Sequence, residues 1–342
     1  MELSLEVEEP FNLDLSLAPS FVSSLYLRLK PKVWVKIAGR LANKVRLMQV
    51  SNTEVKVFYD STLPKELVEE TVELEIGAWH SPFEFQGSLL SSSVRPIVEA
   101  LASAYPGVRL PIAPWDFDFL FIAVSLSRRT DYERFVLRWC RRIWDFFGED
   151  PLSIAEASPN VLSQIGNSYQ VAQLQVMVRD LLSIPNRLEE LSRGLGLRPI
   201  IKYPADLVNL NPNVARVLLL RACRYLGPKA VDSLILSSFK APTFIPCDVH
   251  LKTVTLRLGL VQADLTFPEK AFCKRFSCSA QPLKELETCP RSNRCLRSSL
   301  SWLGELGGWF QTLCYIHGSS TCRTVTPRCD ECSLKNLCHP AK

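Results

Sequence analysis

The sequence predicts an α+β fold: an N-terminal antiparallel β domain over residues 1–105, an all-α domain over 106–310 and a cysteine-rich loop over 311–342. Three observations predict it. Apolar residues alternate with polar ones in short runs through the first hundred residues, the pattern of half-buried strands. Beyond about residue 105 the apolar spacing lengthens to that of a helix. Nine of the twelve cysteines lie between Cys273 and Cys338.

The strand reading takes in Phe11, Leu13, Leu15 and Leu17, then Val33, Val35 and Ile37, Val45 and Leu47, Val55 and Val57, and Val72, Leu74 and Ile76. Breaks at Pro, Asn and Asp separate these runs. In the helical part, Phe117, Leu120, Phe121 and Val124 fall at i, i+3, i+4 and i+7. Further helices are predicted over 131–147, through Val171, Leu174, Val178 and Leu181, over 214–225 and over 230–239. The last two are split by Leu226-Gly227-Pro228. Another opens at Asp248 and carries Leu251, Val254 and Leu258.

Composition narrows the function classes. Apolar residues make up 47% and charged residues 22%, ordinary for a globular chain. No uncharged apolar run reaches the roughly 18 residues of a membrane span. The start, Met1-Glu2-Leu3-Ser4-Leu5-Glu6, lacks a basic segment followed by an apolar core, so an intracellular protein is expected. The net charge of +5 does not by itself announce nucleic acid. The grouping of Arg128, Arg129, Arg138, Arg141 and Arg142 and a basic C-terminal third matter more.

The strongest chemical signal is Cys322-x6-Cys329-x2-Cys332-x5-Cys338, four thiols within 17 residues. One loop supplying four thiolates suits a [4Fe–4S] cluster, and on spacing alone also zinc or disulfides. Cys273, Cys278, Cys289, Cys295 and Cys314 lie outside this spacing; disulfides, a second metal site and plain burial all stay open for them. The second signal is the helix break at Leu226-Gly227-Pro228-Lys229, followed by Pro246-Cys247-Asp248-Val249-His250 entering a helix. Glycine in a tight interhelical turn admits a phosphate, and a helix start offers free N–H groups, although most such turns only reverse the chain. On the residues alone, Lys229 is a surface lysine and Asp248 a helix cap.

The tail spacing, with Trp309, His317-Gly318 and Pro327-Arg328 around it, resembles the endonuclease III family. That resemblance implies a [4Fe–4S] cluster held by Cys322, Cys329, Cys332 and Cys338. Gly227-Pro228-Lys229, with Asp248-Val249-His250 nineteen residues beyond the lysine and prolines at 242 and 246, resembles the 8-oxoguanine branch of the helix-hairpin-helix DNA glycosylases. The first hairpin glycine of that branch is Tyr225 here. A rival register through Leu210-Asn211-Pro212-Asn213-Val214 puts Arg216 at the lysine position. The gap-free register is preferred.

The resemblance implies the chemistry. Asp248 would stabilise the positive charge that builds on the deoxyribose, and Lys229, neutral by burial, would attack the sugar carbon. A Schiff base and strand nicking follow. Without the amine, Asp248 and water would give a monofunctional glycosylase; a non-catalytic DNA-binding protein with structural zinc is the third reading. Gly227 and Lys252 would meet phosphate, with Lys252 the alternative amine. His250 reads as a packing residue.

The stretch Tyr105-Pro106-Gly107 to Trp115-Asp116-Phe117 resembles the entry into the superfamily's helical domain. Arg128 and Arg129 stand where relatives carry a loop that fills the gap left by an extruded base, and an arginine suits that task. Ile165-Gly166-Asn167-Ser168-Tyr169 resembles another loop of the 8-oxoguanine branch, and Phe11-Asn12-Leu13-Asp14-Leu15 the β domain that precedes its helices. The implied partner is double-stranded DNA bearing a damaged base or abasic site, met by a monomer, with oxidised bases favoured over alkylated or deaminated ones.

Overall fold

The computed structural model describes residues 1–82, 91, 94–196 and 200–338. Five strands form one antiparallel sheet in the order β1-β5-β4-β3-β2: β1 (Glu2–Glu6), β2 (Tyr26–Lys30), β3 (Val33–Lys36), β4 (Val45–Gln49) and β5 (Glu54–Tyr59). Leu3 pairs with Val57 and Leu5 with Val55, and Leu47 faces Val57 from the other side. All five are buried while their strand neighbours are not, so one face carries the core. Two of these strands escape the alternation reading given above. β1 alternates Leu3 and Leu5 with glutamates, and β2 is an exposed edge.

Two predicted strands are helices. Leu13–Leu17 is a short helix, α1, because Asn12 caps it by accepting the Leu15 N–H at 3.0 Å. Val72, Leu74 and Ile76 lie on α2 (Lys65–Ile76), which buries Val68, Thr71, Val72, Leu74, Glu75 and Ile76 together. A helix covered on more than one side loses its single stripe, and period-two spacing emerges by accident. Gln49 of β4 receives the Leu13 N–H, and Lys36 of β3 pairs with Glu75 of α2, which ties both helices to the sheet.

The helical part is built around α4 (Phe117–Leu126), of which every residue but Asp118 is buried. A helix apolar on all sides belongs at a centre. Around it stand α5 (Leu137–Phe147, entered through a wide turn capped by Asp131), α7 (Tyr169–Leu182) and α9 (Pro228–Ser238). The short α6 (Pro159–Ile165) joins α5 to α7, and α8 (Pro212–Ala222) packs on α9. The expected 214–225 helix stops at Ala222 because the chain turns at Cys223. α10 (Val249–Arg257) packs along α11 (Gly307–Ser320), which also meets α3 (Arg95–Ala104). Among the described residues no helix is long and apolar enough to cross a membrane.

Candidate active site

α8 and α9 pack on each other and are joined by the turn 223–227. Pro228 in the first turn of α9 needs no N–H partner, so the helix starts there. The turn is braced from outside. Asp180 of α7 accepts the Arg224 backbone N–H at 2.9 Å and pairs with its guanidinium at 3.0 Å, and Lys270 donates to the carbonyls of Cys223 and Arg224. Gly227 has an extended backbone, φ −93°, and a Cβ there would meet nothing within 4 Å. The glycine is therefore not required by the backbone. It leaves open space above the turn.

Lys229 sits one residue into α9, half-buried, with its Nζ 5.4 Å from the centre of the Phe21 ring. Burial pushes its ammonium below the ordinary lysine range, and the Asp248 carboxylate opposes that only in part. Asp248 caps α10 by accepting the Leu251 N–H at 2.8 Å, and its second oxygen lies 3.5 Å from the Gln311 amide nitrogen. Lys229 and Asp248 line the same cavity, of roughly 730 Å³. Its walls come from the turn after α1 (Phe21), the loop after α4 (Thr130, Tyr132), α9 (Ser233, Ser237) and α11 (Gln311, Tyr315). A volume of this size takes a nucleobase-sized ligand.

The rival register meets a different fate. Arg216 is buried away from this cavity, pairing with Asp232 at 2.6 Å. Lys252 is occupied too, donating to the Leu265 carbonyl at 2.5 Å with its amine 5.6 Å from the Phe267 ring centre.

Gln311 and Tyr315 are site residues that sequence reasoning missed. Both lie on the α11 face that meets α10, which reads as ordinary core spacing. Burial, helped by the nearby Asp248, Glu133 and Asp131, pushes the Tyr315 phenol up to about 12, so it is a neutral hydrogen-bond donor. His250 lines the cavity as a packing group, edge-on to Tyr315 at 5.3 Å. Gly318 makes this crossing close, since a Cβ there would lie 2.8 Å from that of His250.

The loop after α4 separates its two arginines. Arg128 is half-buried and tethered. It donates to the Ser125 carbonyl and to Gln173, both at 2.8 Å, and stands 5.9 and 6.0 Å from the Tyr169 and Tyr225 rings. Arg129 is exposed, with a left-handed backbone at φ 53°. It lies between Ser127 and Thr130, both of which line the cavity.

In the tail, Cys322, Cys329, Cys332 and Cys338 are all free thiols. Among the described residues no three His, Cys, Asp or Glu side chains are gathered as metal ligands. The four cysteines are nevertheless electrostatic neighbours. Burial raises the Cys338 thiol, and Cys332, Cys322 and Cys329 raise it further. Arg257 donates to the Cys322 sulfur at 3.2 Å, and His317, bonded to Tyr105 at 2.9 Å, lies 3.6 Å from the Cys332 sulfur. A cationic donor on the Cys322 sulfur suits an anionic thiolate centre there.

The chain shares its overall fold with solved DNA glycosylases. Two solved structures carry the likeness. An 8-oxoguanine glycosylase/lyase of Clostridium acetobutylicum, in complex with double-stranded DNA containing cytosine opposite 8-oxoguanine, is 14% identical. The match covers 93% of this chain and 97% of that one, at a TM-score of 0.64. A 3-methyladenine DNA glycosylase of Archaeoglobus fulgidus is 10% identical over 93% of this chain and 98% of that one, at 0.58. No family model matches the chain, and no curated protein does.

Proposed function

We propose that the chain is a base-excision DNA glycosylase with abasic-site lyase activity. It would act as an intracellular monomer on double-stranded DNA bearing an oxidised base. The observation that carries this reading is the shared cavity: an amine whose charge is disfavoured and a helix-capping carboxylate face one space beside a helical turn. One of the solved structures that share this fold over most of both lengths is an 8-oxoguanine glycosylase/lyase, which supports the oxidised-base choice; another is a 3-methyladenine glycosylase, which keeps alkylated bases as the second reading.

The chemistry follows from the residues. The damaged nucleotide turns out of the duplex into the cavity. Neutral Lys229 attacks the anomeric carbon, the glycosidic bond breaks, and the base leaves with the bonding electrons and takes up a proton. Asp248 stabilises the positive charge on the sugar and accepts the proton that Lys229 loses. The sugar opens to a Schiff base, and loss of a proton from the neighbouring carbon expels the 3′ phosphate. Arg129, exposed between Ser127 and Thr130, would occupy the gap in the duplex, Arg128 doing so only on release from Gln173, and Gly227 and Lys252 would meet phosphate, the lysine on release from the Leu265 carbonyl. Cys322, Cys329, Cys332 and Cys338 would hold the [4Fe–4S] cluster, whose thiolate charge Arg257 offsets.

The test is borohydride reduction of the protein mixed with duplexes that each carry one lesion. A covalent protein–DNA adduct that disappears in Lys229→Ala is expected. Base release with no adduct would replace this reading by the monofunctional one. Binding without base release, unchanged in Asp248→Asn, would end it.

A further inference from the structure

The stretch between Leu265 and Leu296 contributes no buried apolar side chain to the core; Ser277 and Gln281 are its only buried residues. Its regular structure is one helical turn, Lys270–Cys273, a three-residue turn at Ser292–Arg294 and isolated bridges, Thr266 to Cys295, Ser277 to Thr288 and Cys278 to Gln281. A lobe of about thirty residues without a core of its own needs a cross-link to hold one shape.

Four half-buried free cysteines are distributed through it in two sequence pairs, Cys273-x4-Cys278 and Cys289-x5-Cys295. The fold laces the pairs together. Ser277 and Thr288 bridge, and the Cys289 N–H donates to the Ser277 carbonyl at 3.0 Å, so Cys289 runs beside Cys278. Ser292 donates to the Cys289 carbonyl and Cys295 to that of Ser292, which folds the second pair into one turn. Cys273 and Cys278 are electrostatic neighbours of each other and of Arg216.

Charge supplies the second, independent observation. Arg216 and Arg297, both buried, share the single carboxylate of Asp232, at 2.6 and 2.5 Å. Among the described ion pairs this leaves one positive charge in excess beside α9. Among the described residues Arg297 Nε has no hydrogen-bond partner, and the Arg216 guanidinium lies against the Cys273 thiol. Arg297 also donates to Gln281, the bridge partner of Cys278. A buried cation without a counter-charge is costly, and neutral thiols or disulfides beside it would not relieve the cost. Thiolates would.

We propose that Cys273, Cys278, Cys289 and Cys295 bind one zinc ion as a tetrahedral tetrathiolate, a structural site separate from the catalytic cavity and from the tail quartet. Closed structural zinc sites take cysteine pairs presented by turns; the x4 pair has the usual spacing and the x5 pair is one residue wider. Among the described residues the side chains are not gathered as ligands, so zinc binding has to draw them together. Four S–H protons leave to solvent, four Zn–S bonds form, and no electron is transferred. The dianionic centre then offsets the Arg216–Arg297 excess. Through Asp232, on the helix that carries Lys229, the lobe braces the floor of the cavity. The site does not depend on the reaction proposed above.

The experiment is zinc and iron content of the purified full-length protein by inductively coupled plasma mass spectrometry, with zinc-edge X-ray absorption on the same sample. One zinc per chain with a shell of four sulfurs at about 2.3 Å is expected. The double variant Cys278→Ser/Cys289→Ser should lose the zinc and keep its iron, whereas Cys329→Ser/Cys332→Ser should keep the zinc. Wild-type protein without zinc, zinc bound through nitrogen or oxygen, or zinc lost only from the tail variant overturns the proposal. So does an unreduced intact mass short by the four hydrogens of two disulfides. These wild-type measurements decide the matter even if the first double variant does not fold.

Discussion

Lys36 and Lys229 each face acidic side chains from inside the protein, and their environments push them in opposite directions. Lys36 of β3 is wholly buried, bonded to Glu75 and, at 2.9 Å, to Asp116. Burial alone would lower its ammonium, but the two carboxylates outweigh it and hold it above the ordinary range. Glu75 is engaged further by the Tyr26 hydroxyl, and Asp116 by the Arg40 N–H at 2.6 Å. This closed network joins sheet, α2 and the entrance to α4. Lys229 faces one carboxylate across a cavity, without a direct ion pair among the described contacts, and burial wins. A lysine is fixed as a cation where partners close around it. It is freed as a nucleophile where a single partner stands off across open space.

The comparison can be broken most severely at Lys36. Lys36→Met leaves Glu75 and Asp116 buried with no cation between them, and we expect a loss of about 3–5 kcal/mol, read as a lowered denaturation midpoint. A loss below about 1 kcal/mol would mean the network is no tighter than a surface pair. Next in size is the cavity carboxylate. Asp248→Asn keeps an oxygen to cap α10 but removes the charge, and single-turnover base release should fall by roughly 10²–10³-fold with little change in melting.

The pH dependence sharpens the contrast. On the proposed reading Lys229 reacts as the free amine, and its folded value is depressed. Borohydride trapping should therefore rise with pH and level off below the ordinary lysine range. A rate still climbing through pH 10.5 would contradict the burial argument. The smallest effect is on stability. The native state binds fewer protons than the unfolded state between the lowered Lys229 value and 10.5, so wild-type stability gains from this residue as pH rises through that window. Lys229→Met should then raise the melting temperature at neutral pH, and the gain should vanish above pH 10.5. The same exchange at Lys36 lowers it.

Much of the helical half was legible because its helices keep an apolar period near 3.6. Asp248 was legible as a cap because a short acidic side chain before Val249 and Leu251 is what a helix start needs. Spacing singled out the cysteine quartet of the tail, and the described side chains are not gathered around a metal. The errors lie where an element is buried on more than one side or is very short. α2 and α1 read as strands because Val72, Leu74 and Ile76, and Leu13, Leu15 and Leu17, alternate, while the Asn12 cap and the double-sided burial of α2 decide otherwise. Gln311 and Tyr315 could not be picked out, since nothing in a helix's own sequence tells which of its inward side chains borders a cavity.

The sequence alone determined the order of strand-rich, helical and cysteine-rich segments, because periodicity and spacing are local properties of a chain. Only the tertiary structure decided which of two candidate basic residues, Arg216 or Lys229, faces the same space as Asp248. The two lie thirteen positions apart on adjacent helices, and local signals favour neither strongly. Packing turned Arg216 inward onto Asp232 and left Lys229 at the cavity wall. The protonation state of a lysine depends on which charges surround it in space, and that is settled by folding.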